Sequence, residues 1–122
     1  MTIRAAIMAL LACLAAAPAL AATFNEHGRC TDGCNYFAGD GEHIWAVEKY
    51  HLGPAKAKLA DGRANYAMDD LKFILRHFPN HPDALMLLDT AAKALGQPTM
   101  PDTYFKAAVK AYPDEPMTYV VH

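Results

Sequence analysis

The sequence predicts an all-α protein of antiparallel helix pairs stacked on one another, preceded by an export signal and an irregular segment that contains cysteines. Two segments with the same proline-framed layout start at Pro79 and Pro113, 34 residues apart. A period of that length is typical of helical-pair repeats. Between and before these segments, apolar residues recur at helical spacing. The first 22 residues have the charge and hydrophobicity pattern of a signal peptide.

Residues 1–22 are predicted to direct export. Arg4 precedes an apolar run from Ala5 to Leu14, and Ala19-Leu20-Ala21 provides a small-x-small site for signal peptidase. The run is too short and too rich in alanine for a membrane span, which needs about 20 strongly apolar residues. Cleavage after residue 21 or 22 would leave one small domain, which is expected to be periplasmic or secreted.

A lipid anchor is an alternative interpretation of the same leader. Leu10-Leu11-Ala12-Cys13 resembles a lipoprotein box, in which Cys13 would carry the lipid after cleavage. The apolar stretch continues past Cys13 to the better cleavage site near Ala21 or Ala22, which favours export without an anchor. The rest of the chain has no basic run or basic helix face, and this argues against nucleic acid and anionic membranes as partners.

Residues 23–43 are predicted to be irregular, because four glycines together with Asn and Asp residues indicate turns. Cys30 and Cys34 are the two cysteines that remain once the signal is removed. Two cysteines in an oxidising compartment usually pair. Their disulfide would close a very small loop, so the expected entropic gain is modest. This segment is therefore predicted to be closed by a disulfide.

The same segment also allows a metal or thiol-redox interpretation. Two sulfurs and two imidazoles match the tetrahedral ligand set of zinc, and the four residues would be His27, Cys30, Cys34 and His43. Three residues separate the cysteines, a looser spacing than the usual knuckle, and periplasmic thiols tend to oxidise first. A thiol-redox role needs a stabilised thiolate, for which Arg29 is the neighbouring cation in the sequence.

The helical part of the chain is predicted to cover residues 44–122. Residues 42–52 suit a short amphipathic helix or an extended lead-in, with Trp45 as a core anchor. Gly53-Pro54 is expected to be a break, after which Ala55 to Ala60 form a short helix that ends at Gly62.

Three longer helices are predicted after this break. They cover Ala64 to Phe78, Pro82 or Asp83 to the residue before Gly96, and Thr103 to Tyr112 with Asp102 as the N-cap. The apolar residues predicted to face the core are Tyr66, Ala67, Leu71, Ile74, Leu75, Phe78, Leu85, Leu88, Ala91, Ala92, Leu95, Phe105, Ala108 and Val109.

The unit from Pro82 to Pro113 resembles a tetratricopeptide repeat (TPR), a helix–turn–helix module of 34 residues. Asp89 and Pro101 stand where the family prefers small residues. About one and a half repeats can be read, and a further one begins at Pro116. The residues that fit the family pattern are Leu85, Leu88, Ala92, Phe105, Ala108 and Pro113.

The resemblance implies a short solenoid that binds a protein or peptide, with no catalysis and no cofactor. In such a stack a partner buries apolar side chains in a groove. The groove residues belong on the first helix of each pair, and Asn65, Asp89 and Lys93 are the candidates. The sequence has no serine-centred elbow, phosphate-binding glycine loop or HExxH motif. Self-association through the apolar C-terminal residues 119–121 is a further expectation.

Overall fold

The computed structural model describes residues 21–116 of the chain. The predicted leader up to residue 20, including Cys13, and the C-terminal residues 117–122 lie outside the described residues. The described chain is mostly helical, as predicted, and also contains a small two-stranded antiparallel sheet. Strand β1 (Thr23–Phe24) pairs with β2 (Cys30–Asp32), and a 3-10 turn follows at Tyr36–Ala38.

The helices occupy most of the chain after residue 40. They are α1 (Gly41–Val47), a π-helical turn (Glu48–Leu52), α2 (Gly53–Ala60), α3 (Ala64–His77), α4 (Pro82–Ala94) and α5 (Asp102–Ala111). Within residues 21–116, none of the helices combines the length and the apolar character that a bilayer-spanning segment requires.

Gly53 and Pro54 do not interrupt the helix, although the sequence predicted a break at this position. Pro54 has no N–H, and its ring crowds the carbonyl four residues before it. The helix widens instead of ending, and the Gly53 N–H donates to the carbonyl of Glu48, five residues earlier. Helices α1 and α2 therefore continue into one another through the π turn.

Helix α3 lies at the centre of the core, because it packs against the π turn and α2 on one side and against α4 on another. The fully buried side chains of α3 and of its C-cap are Ala67, Leu71, Ile74 and Phe78. Those of α4 are Ala84, Leu85, Leu88, Ala91 and Ala92. Burial of these apolar side chains, at about 25 cal/mol per Å², is the main force that holds the helices together.

Three apolar residues predicted to lie in the core are exposed. Trp45 is not a core anchor, since its side chain is largely in solvent, and Tyr66 and Leu95 also lie on the surface. Helical spacing places Tyr66 and Leu95 at the edges of the apolar stripes of their helices, where the width of the packed neighbour decides whether a side chain is covered. That width depends on the tertiary structure.

The helix starts also differ from the predicted ones. Helix α1 begins at Gly41, one residue before the stretch from residue 42 that was predicted to be a short helix or an extended lead-in, and the carboxylate of Asp40 accepts the Glu42 N–H at its N-cap. Asp102 is not the cap of α5, because Pro101 takes that position and Asp102 is the first helical residue. Its carboxylate still lies at the positive end of the helix dipole.

Gly39 provides a test of how tightly the segment before α1 packs on the core. A Cβ added there would lie 3.0 Å from Ile44 Cδ1 and 3.1 Å from Phe78 Cε1. We expect Gly39→Ala to lower the free energy of unfolding by about 1–3 kcal/mol through overpacking. Urea denaturation followed by circular dichroism measures it.

The matched control for this substitution is Gly41→Ala, two residues along the chain. A Cβ at Gly41 would have no heavy atom within 4 Å. This variant should be as stable as the wild type or more stable by up to about 1 kcal/mol, because alanine replaces a flexible helical glycine. Equal stability of the two variants would show that the packing around Gly39 is looser than described.

Candidate functional site

The predicted disulfide is present in the structure. The sulfur atoms of Cys30 and Cys34 lie 2.05 Å apart, and the two Cα atoms are separated by 5.9 Å. Cys30 belongs to β2 and is partly buried, whereas Cys34 is 3% exposed and is part of the hydrophobic core. The disulfide therefore connects the small sheet to the helical core.

The loop that the disulfide closes caps the C-terminal end of α3. The Gly33 N–H donates to the Arg76 carbonyl at 2.9 Å, and the Cys34 N–H donates to the His77 carbonyl at 2.8 Å. The last four carbonyls of a helix have no donor within the helix, so these two bonds satisfy groups that otherwise need water. The Tyr112 hydroxyl donates to the Gly33 carbonyl, which joins the end of α5 to the same loop.

The surroundings of the disulfide do not favour a reactive thiolate. Cys34 lies against the C-terminal end of α3, where the helix dipole is negative. The Cys30 sulfur lies 3.5 Å from the carbonyl oxygen of Asp32. The Arg29 guanidinium is 3.8 Å from the carboxylate of Asp40, so its charge is partly compensated. Reactive cysteines need an electropositive environment, and this arrangement suits a structural disulfide better.

The four residues considered as a zinc site do not form a ligand set. The sulfurs of Cys30 and Cys34 are bonded to each other, His27 is exposed next to Glu26, and His43 contacts another histidine. In the part of the chain from residue 21 to 116, no three His, Cys, Asp or Glu side chains are grouped so that they could hold a metal ion. The structure therefore describes Cys30 and Cys34 as a disulfide and not as metal ligands.

Two histidines share a hydrogen bond beside the disulfide. Nε2 of His43 lies 2.9 Å from Nδ1 of His77, which is also 2.9 Å from the carbonyl oxygen of Thr31. Because a carbonyl can only accept, Nδ1 of His77 carries the proton and Nε2 of His43 accepts. Burial lowers the pKa of His77, and the Asp32 carboxylate at 3.6 Å opposes that shift. The pair connects α1 to the end of α3 and to β2.

A second polar cluster fixes the start of α4. His81 is 1% exposed, and its Nδ1 accepts the Ala84 N–H at 3.2 Å as the N-cap of the helix. Its Nε2 therefore carries the proton and faces the Glu48 carboxylate at 3.4 Å, which also accepts from the Tyr36 hydroxyl at 2.9 Å. Burial lowers the pKa of His81, and burial together with the Glu48 contact raises the pKa of Tyr36 to about 12.

The three predicted partner-binding residues lie on two different helices. Asn65 is exposed near the start of α3. Asp89 and Lys93 lie one turn apart on α4, where Lys93 Nζ is 2.8 Å from the Asp89 carboxylate. An exposed ion pair of this kind contributes little to stability, so both side chains can exchange it for contacts with a partner. Whether these residues bind a partner stays a prediction.

A cluster of exposed aromatic residues on α1 and the π turn was not predicted from the sequence. We call Trp45, Lys49 and Tyr50 the aromatic patch. Trp45 and Tyr50 are 58% and 61% exposed, and their ring centroids are 6.4 Å apart. Lys49 Nζ lies 4.7 Å from the Trp45 centroid. Trp45 and Lys49 lie one helical turn apart, and Tyr50 follows Lys49 in the π turn.

No protein-family model, curated protein or solved structure matches this chain.

Removal of the disulfide tests its structural role. We expect the double variant Cys30→Ala, Cys34→Ala to lose about 2 kcal/mol of the free energy of unfolding, because the closed loop is short and the unfolded chain gains little freedom. Urea denaturation with and without reductant measures this loss. Reductant should destabilise the wild type and leave the double variant unchanged. A wild type that is indifferent to reductant would contradict the structural role.

Burial of His81 predicts a pH dependence of stability. Its folded pKa is lowered below the unfolded value of about 6.5, so the unfolded chain binds more protons in the window below that value. The contribution of neutral, buried His81 to the free energy of unfolding is therefore complete above about pH 6.5, and it is lost as the pH falls below this value. We expect His81→Asn, which keeps an N-cap acceptor, to show a shallower loss between pH 7 and 5 in urea denaturation.

Because Asn is smaller than His, we expect the free energy of unfolding of the His81→Asn variant at pH 7 to be about 1–2 kcal/mol lower than that of the wild type. The control is His27→Asn, because His27 is exposed on the N-terminal hairpin. Its pH dependence should match the wild type. A His81→Asn variant with the full wild-type slope would show that the acid sensitivity comes from other groups.

Proposed function

We propose that this chain is an exported, TPR-like module that binds another protein and performs no catalysis of its own. The observation that carries the proposal is a repeat of local geometry. The C-caps of α3 and α5 are Phe78 and Tyr112, which stand 34 positions apart. Their backbone angles are nearly equal, with φ −133° and ψ 87° for Phe78 and φ −135° and ψ 68° for Tyr112. A proline follows each of them.

Burial repeats in part with the same offset. Ala67 and Ile74 are fully buried, and so are their counterparts 34 positions later, Pro101 and Ala108. Leu71 and Phe78 are fully buried too, whereas their counterparts Phe105 and Tyr112 are partly buried. Equivalent positions in successive repeats bury equivalent surfaces, because each unit packs on its neighbour in the same way. The agreement in both backbone geometry and burial supports a TPR-like arrangement with α3 and α5 as the second helices of two successive pairs.

The binding face would then lie on the first helices of the pairs, which are α1 to α2 and α4. Asn65 on α3 would lie outside this face, in contrast to Asp89 and Lys93. The first of these carries the aromatic patch, and α4 carries the exposed Met86 and the Asp89–Lys93 pair. The contact of Glu48 with His81 brings the π turn to the start of α4. Exposed tryptophan and tyrosine are the side chains most often found as binding hot spots, so we assign the aromatic patch to the partner interface.

Export is the second part of the proposal. Disulfides persist in oxidising compartments, so the Cys30–Cys34 bond agrees with the leader pattern of residues 1–22 and with a periplasmic or secreted location. The alternative of a small metal- or thiol-redox protein has less support. The negative surroundings of the sulfurs oppose a thiolate, and the histidines nearest to them are used in contacts within the fold.

Site-specific photo-crosslinking in the bacterial envelope tests the proposal. The chain is produced from its full reading frame with p-benzoylphenylalanine in place of Met86, which leaves the aromatic patch intact. We expect one predominant protein to be crosslinked. The additional change of Trp45 and Tyr50 to Ala should reduce its yield by about tenfold, because hot-spot side chains carry most of the binding energy.

The control site for the crosslinker is Lys110, which is exposed on α5 away from the first helices. Tyr66→Ala removes an exposed aromatic ring from α3 and should leave the Met86 crosslink unchanged. The same diffuse background from both crosslinking positions would contradict an interface on the first helices.

A further inference from the structure

A groove of about 440 Å³ lies between α3 and α5, beside the disulfide loop and β1. Its lining is mostly apolar and includes Leu75 and Pro79 on one side and Tyr104 and Ala107 on the other. Its volume falls in the range of about 300–1,000 Å³ that is typical of ligand pockets. The groove lies on the second helices of the pairs, so it is a different surface from the aromatic patch.

The charges of the groove favour an anion. Lys72 and Arg76 lie one turn apart on α3 and both line the groove, together with one acidic residue, Asp32. The Arg76 guanidinium is held by the Phe73 ring, 5.1 Å from its centroid, and by the Asp32 carboxylate at 3.9 Å. Asp32 compensates one of the two cations, so a net positive charge remains at Lys72.

Export would add a further positive charge to this rim. Ala21 and Thr23 both line the groove. Cleavage after Ala21 or Ala22, as proposed above, would create a new α-ammonium group at this place, and α-amino groups have a pKa near 8. The processed chain would therefore attract an anion more strongly than the unprocessed one.

A short strand, β1, borders the groove. Thr23 belongs to β1, whose sheet within residues 21–116 has two strands, so one edge of β1 has no neighbouring strand. An open strand edge can take up an extended peptide by strand addition, in which main-chain bonds supply affinity and adjacent pockets select side chains. This feature favours a peptide over an acid without a backbone.

We propose that this groove binds an acidic, extended peptide segment of another protein. A carboxylate of the peptide lies over Lys72 and Arg76, and a bulky apolar side chain next to it packs against Leu75 and Tyr104. The backbone of the peptide runs along β1. This inference goes beyond the proposed function, because it holds whether or not the aromatic patch binds a partner.

Fluorescence anisotropy tests this inference on the chain as recovered from export. The probe is a fluorescein-labelled peptide of sequence Gly-Asp-Phe-Glu-Leu-Gly. We expect saturable binding that Lys72→Glu weakens by about tenfold, because an attractive charge contact becomes a repulsive one. Lys110→Glu, a charge reversal on α5 outside the groove lining, should leave binding unchanged.

Two comparison peptides separate the contribution of the acidic side chains from that of the apolar side chains. A peptide with lysine in place of both acids, and one with alanine in place of Phe and Leu, should each bind at least about tenfold more weakly. Trp45→Ala with Tyr50→Ala should not affect the probe, and this separates a failure of the groove from a failure of the aromatic patch.

Three results would overturn the inference. They are the absence of binding, binding that Lys72→Glu leaves unchanged, and displacement of the probe by dodecanoate at an affinity equal to that of the peptide. The last result would identify the groove as a site for apolar acids in general.

Discussion

The fold depends on the capping of α3 by the loop between Cys30 and Cys34. Helix α3 packs on both sides of the core, and its last carbonyls need donors that the helix cannot supply. The N–H groups of Gly33 and Cys34 supply two of them. Gly33 has a φ of 67°, a conformation that glycine adopts at little cost. The disulfide keeps this loop in place, so an N-terminal segment with little regular structure completes the hydrogen bonding of a central helix that ends before Pro79.

The π turn between α1 and α2 is the second constraint. The residues in and next to it form one face toward the core and one face toward solvent. Glu48 faces His81 at the start of α4, and His51 bonds to Asp70 while its ring stacks on Phe73. The face toward solvent carries the aromatic patch. The π turn therefore carries the internal polar contact of Glu48 on one face and Tyr50 of the aromatic patch on the other.

The two proposed binding surfaces follow from the order of the helices. Helix α1 and the π turn carry the aromatic patch, whereas the groove lies between α3 and α5 and is completed by β1 and the disulfide loop. The disulfide loop therefore caps α3 and also forms part of the groove. A module with two separate surfaces could hold two segments of one partner or two different partners, and the effective concentration of the second contact would then raise the overall affinity.

Local sequence patterns were sufficient to predict the helical class, the pairing of Cys30 with Cys34, and the extents of α3 and α4 to within a few residues. These features depend on local patterns: apolar residues at helical spacing, proline and glycine at helix ends, and two cysteines close together. The exposure of Trp45 and the contact of His43 with His77 depend on the tertiary structure. Each of these depends on which surfaces meet, and a local pattern contains no information about a neighbour 34 residues away in the chain.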